Sequence, residues 1–229
     1  MEKFTRLTAT ACPLDIANLN TDQLIPARFI KWPRSAGLGK VLLHDLRFDA
    51  ERRERPDFPL NRPAWRDASI IVGGRNFGCG SSREAAVYAL YDHGIRCVIA
   101  PSFGDIFSGN AVQNGLLTAV VPDEAAAEIM TDLMRTPELP VTVDLEQTTI
   151  LCGNRSYRFT IDPVRRQRLL NGWDDLALTE SFRDRIAAFK ARDLSRRPWA
   201  RPRSDIPGIR RFPQRTDFAS CPGPRSRSP

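Results

Sequence analysis

The chain has few groups able to hold a metal. Its five cysteines, Cys12, Cys79, Cys97, Cys152 and Cys221, lie far apart with no C-x-x-C pair. Its two histidines, His44 and His93, are not spaced as a ligand pair and are read as structural. An odd cysteine count without close spacing signals neither a disulfide framework nor a zinc site. An iron–sulfur cluster would need several thiolates gathered from a tight cysteine run, so any such cluster must come from a partner. No apolar run approaches the roughly 18–20 residues that span a bilayer. The N-terminus lacks the basic-then-apolar order of a secretory leader, and no internal repeat is visible. These absences lead to the expectation of a cytoplasmic globular protein, with 229 residues enough for one good core.

Positive charge is concentrated at one end. Residues 196–229 hold nine arginines, no lysine and two aspartates, a net of 9 − 2 = +7, which equals the net charge of the whole chain. The same stretch has seven prolines and only Trp199, Phe212 and Phe218 as aromatics. It cannot bury enough apolar area to offset its ordering entropy, so residues 1–195 are expected to form the domain and 196–229 a disordered extension. Solvation alone accounts for such a tail. Non-specific phosphate binding to nucleic acid is the functional alternative.

The most informative segment is Asn76-Phe77-Gly78-Cys79-Gly80-Ser81-Ser82-Arg83-Glu84. It follows the apolar run Ser69–Gly74, read as a buried strand, and precedes Ala85–His93, read as a helix ending at Gly94. A glycine-flanked helix start presents backbone N–H groups to an anion at the positive end of the dipole. Arg83, placed one residue into that helix, adds a fork suited to a carboxylate. Ser81-Ser82-Arg83-Glu84 also fits an S-x-x-E capping box, and the two readings are compatible. Cys79 invites a metal reading, but its flanking glycines favour packing.

Downstream, strands are expected at Val98–Ala100, Leu116–Val121, Val141–Leu145, Thr148–Leu151 and Tyr157–Ile161. Helices are expected from Phe103 to Asn114, from an Asp123 cap to Met134, from Asp162-Pro163 onward, and from Thr179 to Arg192. Residues 31–66, rich in Arg, Pro and Asp, read as a long functional or disordered loop.

The nine-residue motif resembles the small subunits of 3-isopropylmalate dehydratase, in the aconitase superfamily. Three further blocks agree in order and spacing: Asn20–Phe29, Ala100–Asn110 and Tyr157–Asp162. The resemblance covers about residues 3–192. It implies an α/β fold, a swivelling three-layer β/β/α domain like the aconitase C-terminal domain, working with a large subunit that carries a [4Fe-4S] cluster. It implies a hydroxy-dicarboxylate substrate, with Ser81 moving the proton and Ser82 and Arg83 holding a carboxylate. Thr21 and Asp22, in the Asn-Thr-Asp block of the same resemblance, are further candidates for binding substrate, and Asp22 is expected to order the site through hydrogen bonds. Arg28 and Arg47 are further candidates for the second carboxylate, and Ile30 to Leu38 for an apolar wall around the substrate's side group. Dehydration takes a weakly acidic proton beside a carboxylate and expels hydroxide, which calls for a Lewis-acid metal and fixed charge-stabilising donors. One departure stands out: the family continues Arg-Glu-His where this chain has Arg83-Glu84-Ala85. It leaves open a paralogue acting on 2-methylmalate or 2,3-dimethylmalate.

Overall fold

The computed structural model describes residues 1–200. The strands are β1 (Arg6–Leu14), β2 (Ile70–Gly73), β3 (Cys97–Ala100), β4 (Leu117–Val120), β5 (Pro140–Asp144), β6 (Thr149–Cys152) and β7 (Arg155–Arg158). The helices are the one-turn α1 (Thr21–Leu24) and α2 (His44–Arg47), then α3 (Glu84–His93), α4 (Asp105–Gln113), α5 (Asp123–Arg135), α6 (Pro163–Asn171), α7 (Asp175–Glu180) and α8 (Arg183–Arg196). Met1–Ser181 makes one compact unit, and a second begins at Phe182. Most of the Arg- and Pro-rich extension, from residue 201, lies outside the described residues, and the nucleic-acid reading with it.

All seven strands join one mixed sheet in the order β4-β3-β2-β1-β5-β6-β7. The strand β1 is shared between two halves. Its Ala11–Leu14 pairs in parallel with Ile70–Gly73, and its Arg6–Thr10 pairs antiparallel with Asp144–Pro140. The short runs Ile-Ile-Val-Gly and Cys-Val-Ile-Ala are buried at every position, as parallel strands covered on both faces must be. One face packs Leu14, Ile71 and Val98 against Val87 and Leu90 of α3. The other packs Ile70, Val72 and Ile99 with Ile129 of α5 and with Val141, Val143 and Ile150 of the antiparallel half. The sheet thus curls over its own second core, giving β on β with helix outside. A backbone bridge between Val120 and Thr160 ties the segment after β7 to the edge of β4.

Residues 31–66 depart from expectation. They form short helical turns rather than a loose loop, and they bury Leu38, Val41, Leu42, Leu43, Leu60 and Trp65 in the first core. The final helix also differs: it is broken near Ser181 into α7 and α8. Asp123 is the first residue of α5 rather than its cap, and its carboxylate pairs with Arg75 at 2.6 Å. Asp162 does cap α6 as read, accepting from the Val164 and Arg165 amides at 3.0 Å each.

Because β1 to β4 are parallel, the loops after β1, β2 and β3 emerge along one edge of the sheet. Ligand sites of open α/β sheets lie at such carboxyl ends.

Candidate active site

Three loops converge at that edge and are sewn together by backbone hydrogen bonds. The Asn18 amide donates to Arg75 O at 2.8 Å, Gly78 to Leu19 O at 2.7 Å and Thr21 to Cys79 O at 2.9 Å. On the other side Phe77 donates to Ser102 O at 3.0 Å and Gly104 to Phe77 O at 2.9 Å. Asn76 is held twice, by its amide to Ser102 Oγ and by its side chain to Asn18 Oδ1, both at 2.9 Å. The two glycines of the motif have separate reasons to be glycine. Gly78 has φ +72°, and a Cβ there would meet the Phe107 ring at 2.3 Å. Gly80 has φ +91° with its nearest side-chain atom at 3.4 Å, so its backbone conformation is the constraint.

This sewing presents Ser81 and Ser82 as exposed residues just ahead of α3, with Arg83 half-buried behind them. The Arg83 guanidinium forms an ion pair with Asp22, although its enclosed Nη1 makes no aligned hydrogen bond. The buried Thr21 donates through Oγ1 to Ser81 O at 2.8 Å. Ser81, Ser82, Arg83, Asp22 and Thr21 are therefore brought together. Two local details differ from the sequence reading. The helix begins at Glu84, with Arg83 as its extended N-cap and no side-chain cap, so the S-x-x-E capping box is not formed. Glu84 instead accepts from Asn114 Nδ2 at 3.0 Å. The capping box of this site lies in the other loop. Asn20 Oδ1 accepts from the Gln23 amide at 2.8 Å, and Gln23 Oε1 accepts from the Asn20 amide at 3.0 Å. Its N-x-x-Q signature was available in the sequence but is overshadowed by the family block containing it.

Arg28 and Arg47 have other partners. Arg28 pairs with Asp45, donating from Nη1 at 2.9 Å, and lies 4.6 Å from the Phe29 ring centroid. That pairing holds the Asp45 carboxyl down at about 2. Arg47 is only 6% exposed and donates to Asn61 Oδ1 at 2.9 Å and Leu42 O at 3.5 Å. In the expected side-group region, Leu38 is buried while Ile30 and Trp32 are exposed. A cleft of about 460 Å³ lies beside it, lined by Arg28, Phe29, Trp32, His44 and Phe48 among others. Ala85 is half-buried and packs on the first core.

Among the described residues no group of three or more His, Cys, Asp or Glu side chains could hold an ion. Cys12, Cys97 and Cys152 are buried free thiols, pushed up by burial, Cys12 to about 12. Cys79 directs its thiol to Asn18 O at 3.3 Å, in keeping with packing. These residues do not fit an iron–sulfur cluster. No helix of the described residues is long and apolar enough to cross a membrane.

A curled mixed sheet with a Ser-Ser-Arg loop at its carboxyl edge defines the class, and the Aconitase C-terminal domain family matches residues 1–124. Among curated proteins, the 3-isopropylmalate dehydratase small subunit of Rhodospirillum centenum is 49% identical over 201 residues, covering 87% of this chain and 99% of that protein. Those of Dinoroseobacter shibae and Paracoccus denitrificans are 47% and 46% identical over 200 residues, covering 87% of this chain and all of theirs. A solved 3-isopropylmalate dehydratase structure from Methanocaldococcus jannaschii superimposes with a TM-score of 0.58 at 24% identity, over 81% of this chain and 99% of that one, and shares the fold. The chain belongs to the 3-isopropylmalate dehydratase small-subunit family.

Proposed function

We propose that this chain is the substrate-clamping subunit of a cytoplasmic hydro-lyase that interconverts 2-isopropylmalate and 3-isopropylmalate in leucine biosynthesis, active only with a large subunit. The observation that carries this reading is the Ser81-Ser82-Arg83 cluster at the carboxyl edge of the parallel strands, ahead of α3 and tied to Asp22 and Thr21. The names and near-complete coverage of the relatives support the substrate.

Ser81 takes the proton from the carbon beside a substrate carboxylate and returns it on rehydration. A serine hydroxyl is a weak base at its ordinary pKa, so its ionised form needs positive surroundings. The Arg83 guanidinium and the free amides at the start of α3 supply them. Arg83 and Ser82 hold a carboxylate, the guanidinium through donors not committed to Asp22. The [4Fe-4S] cluster of this reading belongs to the large subunit, because the cysteines here are scattered and mostly buried.

Ala85 supports a second reading. A paralogue acting on 2-methylmalate or 2,3-dimethylmalate keeps the same clamp and differs in the side-group wall, where one methylene is worth about 1–3 kcal/mol. Anaerobic assembly with a cognate large subunit separates the two. Formation of the unsaturated acid, followed by absorbance, should be faster from 3-isopropylmalate than from 2-methylmalate. The reverse preference would assign the paralogue, and no turnover of either acid by a cluster-loaded complex would refute both.

A further inference from the structure

We propose that Thr21 is a positioning residue that sets the backbone of the Cys79–Ser82 loop, and through it the place of the Ser81 hydroxyl. The inference rests on reading Ser81 as the base. At 1% exposure Thr21 is too enclosed to touch a substrate. Both its donors are spent on the loop instead. Its amide reaches Cys79 O at 2.9 Å and its hydroxyl reaches Ser81 O at 2.8 Å.

Those two carbonyls bracket Gly80, where the chain turns through φ +91°. The peptide units are trans, so each N–H points opposite to the C=O of its own unit. With the Cys79 and Ser81 carbonyls turned toward Thr21, the N–H groups of Gly80 and Ser82 are turned away from it. Neither has a backbone acceptor among the described residues. Thr21 thereby aims two main-chain donors to the side of the loop opposite itself, flanking Ser81, where they can receive negative charge.

Thr21 is itself fixed from below. It is the first residue of α1, whose start is closed by the reciprocal Asn20–Gln23 bonds, and Asn20 bridges to Cys79. A continuous line of hydrogen bonds therefore runs from Gln23 through Asn20 and Thr21 to the catalytic loop. Loss of its last link would displace Ser81 while leaving the carboxylate clamp of Arg83 in place.

Thr21→Val keeps the shape and removes the O–H, whereas Thr21→Ser keeps the O–H. In the full chain assembled with its large subunit, and counted per assembled complex, Thr21→Val should lower kcat about tenfold to a hundredfold with KM within about threefold. Thr21→Ser should stay within about threefold of wild type. Thr21→Ala replaces valine if the branched side chain prevents assembly. A wild-type kcat in the variant without the hydroxyl, or a serine variant as slow as that one, overturns the inference.

Amide exchange on the free full chain reads the same link without turnover. In Thr21→Val the amides of Gly78 and residue 21 should exchange at least about tenfold faster, with β2 and β3 unchanged. Unchanged exchange at both amides overturns the positioning role even where the wild-type complex proves inactive, an outcome that would refute the dehydratase reading separately.

Discussion

Arg83 and Asp22 form an ion pair that joins two loops at the carboxyl edge of the parallel strands. Asp22 stands in the first turn of α1 and Arg83 at the cap of α3, so the pair spans the join between the Asn-Thr-Asp segment and the serine loop. The Asp22 side chain is half-exposed, while that of Arg83 is mostly covered. Such a pair contributes little to stability and much to the direction in which the guanidinium points.

Arg83→Lys keeps the charge and loses the planar fork. It should cost about a hundredfold in kcat/KM, and Asp22→Asn about tenfold, because the fork then loses its orientation. The double variant should fall short of the product of the two, since each change removes the same arrangement. Steady-state kinetics of the four complexes measure this coupling. Full additivity would show that Asp22 acts independently of Arg83.

The two loop glycines should respond unequally to alanine. Gly78→Ala meets both a left-handed backbone and the Phe107 ring, and should cost about 2–4 kcal/mol. Gly80→Ala meets the backbone term alone and should cost about 1–2 kcal/mol. Denaturant unfolding of the isolated chain compares them, and equal costs would contradict the contact with Phe107.

Arg47 is predicted to act on folding rather than on substrate. Its replacement by alanine strands the buried Asn61 Oδ1 and opens a void, at a cost of about 2–4 kcal/mol. KM of the assembled enzyme should remain within about twofold of wild type. A large rise in KM with unchanged stability would return Arg47 to the substrate site.

How much of this could be read from the sequence depends on how local each signal is. The strands β2 and β3 announce themselves because every residue is apolar or small, and α6 because Asp162-Pro163 is both cap and first turn. The central strand β1 gives no such signal. Its first half has one solvated face and pairs antiparallel, its second half is buried and pairs in parallel, and neither pattern runs long enough to register. Ser81, Ser82 and Arg83 were legible as one motif and Thr21 and Asp22 as part of another, and the structure brings the two motifs into contact. Isolated arginines carry no comparable signal, and Arg28 and Arg47 prove to hold Asp45 and Asn61. The capping box that Ser81–Glu84 fits does not form, since α3 starts only at Glu84 and that side chain is held by Asn114, while a separate box closes at Asn20–Gln23.

Acid should destabilise the domain partly through His93. Burial, then the charge of Arg47, lowers its pKa below the ordinary 6.5. Its Nδ1 donates to Gly39 O at 3.2 Å, and its enclosed Nε2 has no partner to accept a second proton's bond. The unfolded chain therefore takes up this proton first as pH falls through 6.5, and stability is lost from there down to the folded pKa, at no more than about 1.4 kcal/mol per pH unit. Between pH 7.5 and 5.5 the unfolding free energy should fall more for wild type than for His93→Gln. Parallel pH dependences would show that His93 does not titrate in this way.

The most direct test of the account is the turnover of 3-isopropylmalate by the assembled, cluster-loaded complex carrying Ser81→Ala. Loss of kcat by about a thousandfold or more, with substrate affinity and assembly retained, is the predicted result. A Ser81→Ala complex that turns over within about tenfold of wild type would contradict it, and the proton would then have to be moved by a group outside this loop.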